Sequence, residues 1–229
     1  MTAGTSIPET APTDTAPVRG NHTGYHNRDA IRLLYILAFG SEPVDPARAG
    51  PGDPRVFRGE KRAMAMDFLV RYPDYLADAL LDRYQTEGDP SLLAQAEAIF
   101  DADEPSERLV GMVRWHRGAF QNIETALSIL RAYGMVTPLR QAGGHRRHDF
   151  RIEPPAFPFM EDVIRQHPSL AWYRDRAGLV STLAGMRSGS SLKDEQYLHQ
   201  EYRDAPLGTE IPSIKDRVLA RIRRLKGMA

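Results

Sequence analysis

The sequence predicts a mainly α-helical protein: a winged helix-turn-helix-like core carrying a short β-hairpin, with additional helices around it. Three observations carry this expectation. Apolar residues recur at three- and four-residue steps in several separate stretches, the period of a helix with one buried face. A helix stop at Gly134 is followed at once by two brief strand candidates, MVTPLR and DFRI. Between those runs lies QAGGHRRH, a Gly-Gly turn that carries cations rather than apolar side chains.

Residues 1–27 are rich in Thr, Pro, Ala and Gly, and too poor in large apolar residues to join a core. They read as a disordered N-terminal tail. Asn27 can cap a first helix whose stripe is Ile31, Leu34, Leu37 and Ala38. The next stretch, GSEPVDPARAGPGDPRVFRG, is repeatedly broken by Pro and Gly and reads as a long loop. EKRAMAMDFLVRY then offers Ala63, Met66, Leu69 and Val70 on one side of a second helix. Pro73 ends it, Asp74 can cap a third through Leu76, Ala79, Leu80 and Tyr84, and Gly88 closes that one. PSLLAQAEAIF is a fourth, with Pro90 in its first turn.

ERLVGMVRWHRGAFQNIETALSILRAYG holds the longest helical pattern, clearest at Phe120, Ile123, Ala126, Leu127, Leu130 and Tyr133. Beyond the hairpin, PPAFPFMEDVIRQHP and SLAWYRDRAGLVSTLAGM read as helices. The polar stretch from Ser188 to Pro212 reads as partly flexible. A final helix carries Ile214, Val218, Ile222 and Leu225 on one stripe, a candidate interface for a partner or a second copy. The expected division is a tail at 1–27, a winged-helix-like domain at 28–155 with an inserted loop and acidic helix, and a helical extension at 156–229.

Composition narrows the function. An apolar fraction of 41% and zero formal net charge suit a soluble globular chain. The absence of cysteine removes disulfides and thiolate chemistry. No segment is apolar for long enough to span a bilayer, and the N-terminus lacks a secretory pattern, so a cytoplasmic location with no membrane partner is expected. Charge is unevenly placed. Four arginines, two histidines and one aspartate fall between Arg140 and Arg151, and six basic residues and one acid between Lys215 and Lys226. The local field, not the sum, governs polyanion binding.

A helix, strand, loop and strand in that order is the second half of a winged helix-turn-helix, in which the last helix enters a major groove and the wing touches the backbone beside it. Arg114, His116, Arg117, Gln121 and Asn122 fall at or before the start of that helix. Glutamine and asparagine match adenine edges, and arginine matches guanine or phosphate. Arg140, Arg146, Arg147 and Arg151 on the wing are placed to neutralise phosphates, which adds salt-dependent affinity and little sequence preference. Double-stranded DNA is therefore one expected partner and another protein, or a second copy, is the other.

Catalytic and metal motifs are weak. His145 and His148 share a loop with two arginines that repel a cation, and no HExxH pattern occurs. Gly143-Gly144 lacks the Lys-Ser or Lys-Thr of a phosphate loop, so any ATPase belongs to a partner. Ser106, Ser128 and Ser169 lack a nucleophile-elbow setting. Asp78 and Asp82 read as a solvated helix face. Trp115 and Tyr133 read as core or interface anchors. A non-enzymatic protein with no cofactor is expected.

Three segments together carry a family resemblance: IRLLYILAFG, then RAMAMDFLVRYPDYL with its Tyr-Pro ending, then ALSILRAYGMV followed by the wing. Over about residues 29–155 they resemble the small middle component of bacterial ABC-three-component systems. The chain departs from that pattern by its long loop at 40–58 and its acidic helix before Trp115. The resemblance implies a winged-helix accessory subunit of an SMC-like ATPase complex, linked to defence against phages or plasmids, with no catalytic residues to carry over. The alternative is a winged-helix adaptor or dimerising scaffold that makes protein contacts only.

Overall fold

The computed structural model describes residues 26–45, 47, 50, 52–101, 111–115, 118–120, 123–140 and 148–227, with the backbone alone at 115, 120 and 140. Most of the expected tail, residues 1–25, lies outside the described residues.

Helix α1 (His26–Phe39) is central. Leu33, Leu34, Tyr35, Ile36 and Leu37 are all buried, so the helix is enclosed on every side rather than along one stripe. It packs against α2 (Glu60–Arg71), α5 (Glu124–Ala132) and α7 (Ala171–Ala184). Helix α3 (Pro73–Glu87) begins directly after Tyr72 and packs against α4 (Pro90–Asp101). The chain after the hairpin supplies α6 (Ala156–Gln166), α7, α8 (Gly189–Gln196), α9 (Gln200–Asp204) and α10 (Lys215–Leu225).

A small antiparallel sheet runs in the order β1 (Glu42–Pro43), β2 (Arg55–Phe57), β6 (His148–Ile152), β5 (Val136–Arg140). Phe57 pairs with Phe150, and Arg55 with Ile152, so β6 is the shared central strand. Phe57, Phe150 and Ile152 are buried on one face, which joins the sheet to the helical core. Pro138 sits in β5, the edge strand, where a missing N–H costs least.

The loop expected at 40–59 therefore contains two short strands. Arg62 anchors it: its guanidinium donates to the Gly40 carbonyl at 2.7 Å and the Gly185 carbonyl at 2.8 Å, the chain ends of α1 and α7. These are the carbonyls a helix leaves unpaired, and a cation suits them. The same guanidinium lies over the Phe57 ring, 4.8 Å from its centre.

Two further expectations are corrected. The first half of the long helical pattern is instead a hairpin, β3 (Val113–Trp115) and β4 (Gly118–Phe120). The segment 208–211 lies beside β3, with Ile211 N–H donating to Met112 O at 3.1 Å. The polar stretch 188–212 is held by its tyrosines. Tyr202 is fully buried among Phe68, Tyr75 and Tyr197, and its hydroxyl accepts the Ala119 N–H at 2.6 Å. Apolar residues from Ala156 to Ile222 thus share one core with residues from Ala30 to Ile152.

Charge is buried in that core as well. The Arg32 guanidinium lies 2.6 Å from Asp67 Oδ1 and 2.7 Å from Asp29 Oδ1, while Arg71 lies 3.6 Å from Asp67 Oδ2. Burial alone would lower the Arg32 pKa, but the two carboxylates outweigh it and raise the value. For Arg71, farther from Asp67 and beside Arg32, burial wins and the value is pushed down to about 10.

Candidate nucleic-acid interface

Helix α5 and the β5–β6 hairpin form the candidate surface. Ile123, Ala126 and Leu130 bury one face of α5, with Leu127 and Ile129 half-buried beside them. The opposite side exposes Glu124, Thr125, Ser128 and Arg131. The helix ends in a Schellman arrangement. Gly134 adopts φ 64°, Met135 N–H donates to Leu130 O at 2.9 Å, and Gly134 N–H donates to Arg131 O at 3.0 Å. That turn sends the chain straight into β5, whose Val136 is buried beneath the sheet.

The expected contact residues fall into three groups. Arg151 lies on β6 with its side chain 43% exposed, opposite Thr137 and Val56, and 3.3 Å from Glu153. Arg140 occupies the end of β5, paired with His148. Arg117, Gln121, Asn122, Arg146 and Arg147 lie outside the described residues, as do His116 and the Gly143-Gly144 turn.

Arg114 is placed differently from its expectation. It sits on β3 and is buried, donating to Tyr202 O at 3.2 Å, with its guanidinium 4.8 Å from the Tyr197 ring centre. Its role is to join the hairpin to α8 and α9. Beside it, burial pushes the Tyr202 hydroxyl up to about 12.

The stripe on α10 is also corrected. Ile214, Val218 and Ile222 are buried against the body of the same chain, and Leu225 is packed at its edge, so the helix docks internally. Half of the six cations between Lys215 and Lys226 are paired to acids of the body. Arg221 donates to Asp78 Oδ1 at 2.6 Å and to Asp82 at 2.7 Å, Arg217 to Asp78 Oδ2 at 3.2 Å, and Lys226 to Glu97 at 2.5 Å. Asp78 is therefore a buried anchor rather than part of a solvated face, while Asp82 remains exposed.

Sequence periodicity did not single out Thr125, Ser128 and Arg131 as surface groups. The signal was present: they occupy the helical positions opposite Ile123, Ala126 and Leu130. Tyr133, expected as an anchor, is 72% exposed at the end of the same helix. Among the described residues no group of three His, Asp or Glu side chains is placed to hold a metal. No described helix is long and apolar enough to cross a membrane. Comparison of the chain with family models, curated proteins and solved structures finds no match.

Proposed function

We propose that the protein is a non-enzymatic winged-helix accessory subunit that contacts duplex DNA through α5 and the wing and bridges it to a larger assembly, in line with an SMC-like ATPase partner. The observation that carries this reading is the strand order. A winged helix has a strand between its first two helices, and that strand pairs with the second wing strand. Here β2 lies between α1 and α2 and pairs with β6, with β5 on the far side. The recognition position then falls to α5, with its small polar face at Thr125 and Ser128 and a cation at Arg131. Small side chains permit close approach to a groove, and arginine suits phosphate.

The unit has one departure from a simple winged helix. Helices α3 and α4 and the β3–β4 hairpin are inserted between α2 and α5, where a short turn is usual. The insertion widens the body and leaves α5 joined to the core chiefly through α1.

A second reading, a winged-helix adaptor with protein contacts only, is favoured by the fate of the cations. Arg114 is buried, and Arg217, Arg221 and Lys226 are paired to acids of α3 and α4. Electrophoretic mobility of duplex DNA with the full chain at low salt separates the readings. Retardation that is lost in an Arg146→Ala/Arg147→Ala variant supports DNA contact. No retardation by the chain or its native complex leaves the adaptor, and affinity capture from the native host then identifies whether an SMC-like ATPase accompanies it.

A further inference from the structure

The geometry points to a proton-operated strap: α10 is held on α3 through a polar site that is complete only while the His199 imidazole is neutral, so that acid loosens the helix.

Arg217 Nη2 lies 3.1 Å from His199 Nδ1. A guanidinium has donors and no acceptor, so this contact is a hydrogen bond only if Nδ1 carries a lone pair. The ring is then neutral, with its proton on Nε2. The surroundings are well defined on every side. From α3 come Asp78, whose Oδ2 is 3.6 Å from Nδ1, Asp82, and the Tyr75 ring, edge-on at 5.0 Å between centres. From α10 come Arg217 and Arg221, and from α9 comes Glu201, which accepts from Arg217 at 3.0 Å.

Asp78 is thus already served by two guanidinium groups. A protonated His199 would lose the Arg217 bond and place a third cation around that one buried carboxylate. Burial moves the imidazole pKa below its ordinary 6.5, and the pull of Asp78 upward does not overcome it. The sign follows. The docked form binds fewer protons than the undocked form between the lowered value and 6.5. Docking is therefore at full strength above 6.5 and weakens as pH falls through it, by at most about tenfold per pH unit. Undocking would uncover Ile214, Val218 and Ile222, an apolar stripe with the spacing of a helix-in-groove ligand.

The strap stands independently of the DNA reading, and its test uses no nucleic acid. Two-bond proton–nitrogen spectra of the intact protein report the His199 tautomer and its titration. Hydrogen exchange of the α10 amides, corrected for intrinsic pH dependence, reports undocking from pH 8 to 5. The expected result is an Nε2–H tautomer titrating below 6.5, with α10 opening that rises on acidification in the wild type and stays flat in His199→Gln. An Nδ1–H tautomer, a titration at or above 6.5, or the same pH dependence in both proteins would overturn the proposal. The tautomer measurement needs no variant, so misfolding of His199→Gln does not shield the idea.

Discussion

The Asp74 carboxylate holds Ile214: its Oδ2 accepts the Ile214 N–H at 2.6 Å, across 140 residues of chain. The same oxygen accepts from Ser213 Oγ at 2.7 Å, and Oδ1 accepts the Tyr75 N–H at 3.0 Å. One buried acid thus serves the start of α3 and the start of α10 together. Charged hydrogen bonds contribute about 1.5–3 kcal/mol each. Asp74→Ala is expected to cost about 2–4 kcal/mol by urea unfolding, more than a surface carboxylate at the same helix position. Unchanged stability would mean the α10 start is fixed by something else.

Asp67 and Arg32 should behave as a pair. Removing one partner of a buried pair strands the other, at a cost of about 3–5 kcal/mol. Asp67→Ala alone should fall in that range. An apolar double replacement, Arg32→Met with Asp67→Leu, should recover part of the loss, because it removes two of the desolvated charges while leaving Arg71 buried without the Asp67 carboxylate. If the double variant is as unstable as the single, the Asp29 and Arg71 contacts carry the site instead.

Two glycines separate steric from conformational cost. At Gly189 an added Cβ would lie 2.4 Å from Arg62 N and 2.6 Å from Lys61 C, backbone atoms that cannot swing aside. Gly189→Ala should therefore pry α8 from α2 and lower stability by about 1–3 kcal/mol. At Gly134 nothing lies within 4 Å, and only φ 64° opposes a side chain. Gly134→Ala should cost about 1–2 kcal/mol. Thermal unfolding of both variants checks the ordering.

Salt dependence distinguishes the arginines. If Arg131 meets a phosphate, Arg131→Ala should lower the slope of log affinity against log salt by about 0.9, and the Arg146→Ala/Arg147→Ala pair by about twice that. Arg114→Ala should lower stability by about 1–3 kcal/mol and leave the slope alone, because its guanidinium is spent on Tyr202 and Tyr197. A slope change with Arg114→Ala would place that residue at the interface after all.

The helices with a repeated apolar step were legible. The stops at Gly88 and Gly134 stand where their left-handed conformations are found, and MVTPLR and DFRI are strands β5 and β6. What escaped depended on partners far along the chain. Arg55–Phe57 is only three residues long, too short for any period, and becomes a strand because β6 supplies its hydrogen bonds. Residues 113–120 follow a helical pattern locally, but Val113 and Arg114 are claimed by Glu210 and Thr209. The tyrosines of 188–212 looked stranded in a polar stretch because the surfaces that bury Tyr202 come from α2, α3 and the β3–β4 hairpin. At the candidate interface the two strands β5 and β6 were legible in position, while the burial of Arg114 was set by tyrosines some 80–90 positions away, Tyr202 among them.

The insertion between α2 and α5 bears on how the chain is made. Gly59 donates to Asp149 Oδ1 at 2.9 Å across 90 residues, and until β6 exists β2 has only the two-residue strand β1 beside it. During synthesis, α1 and α2 emerge well before the strand that completes their sheet. Pairings that distant are entropically slow to close. The α3–α4 unit, whose contacts are local, can form in the interval and hold the growing chain compact. The expected order at the ribosome is therefore local helix–helix contacts before the β2–β6 pairing.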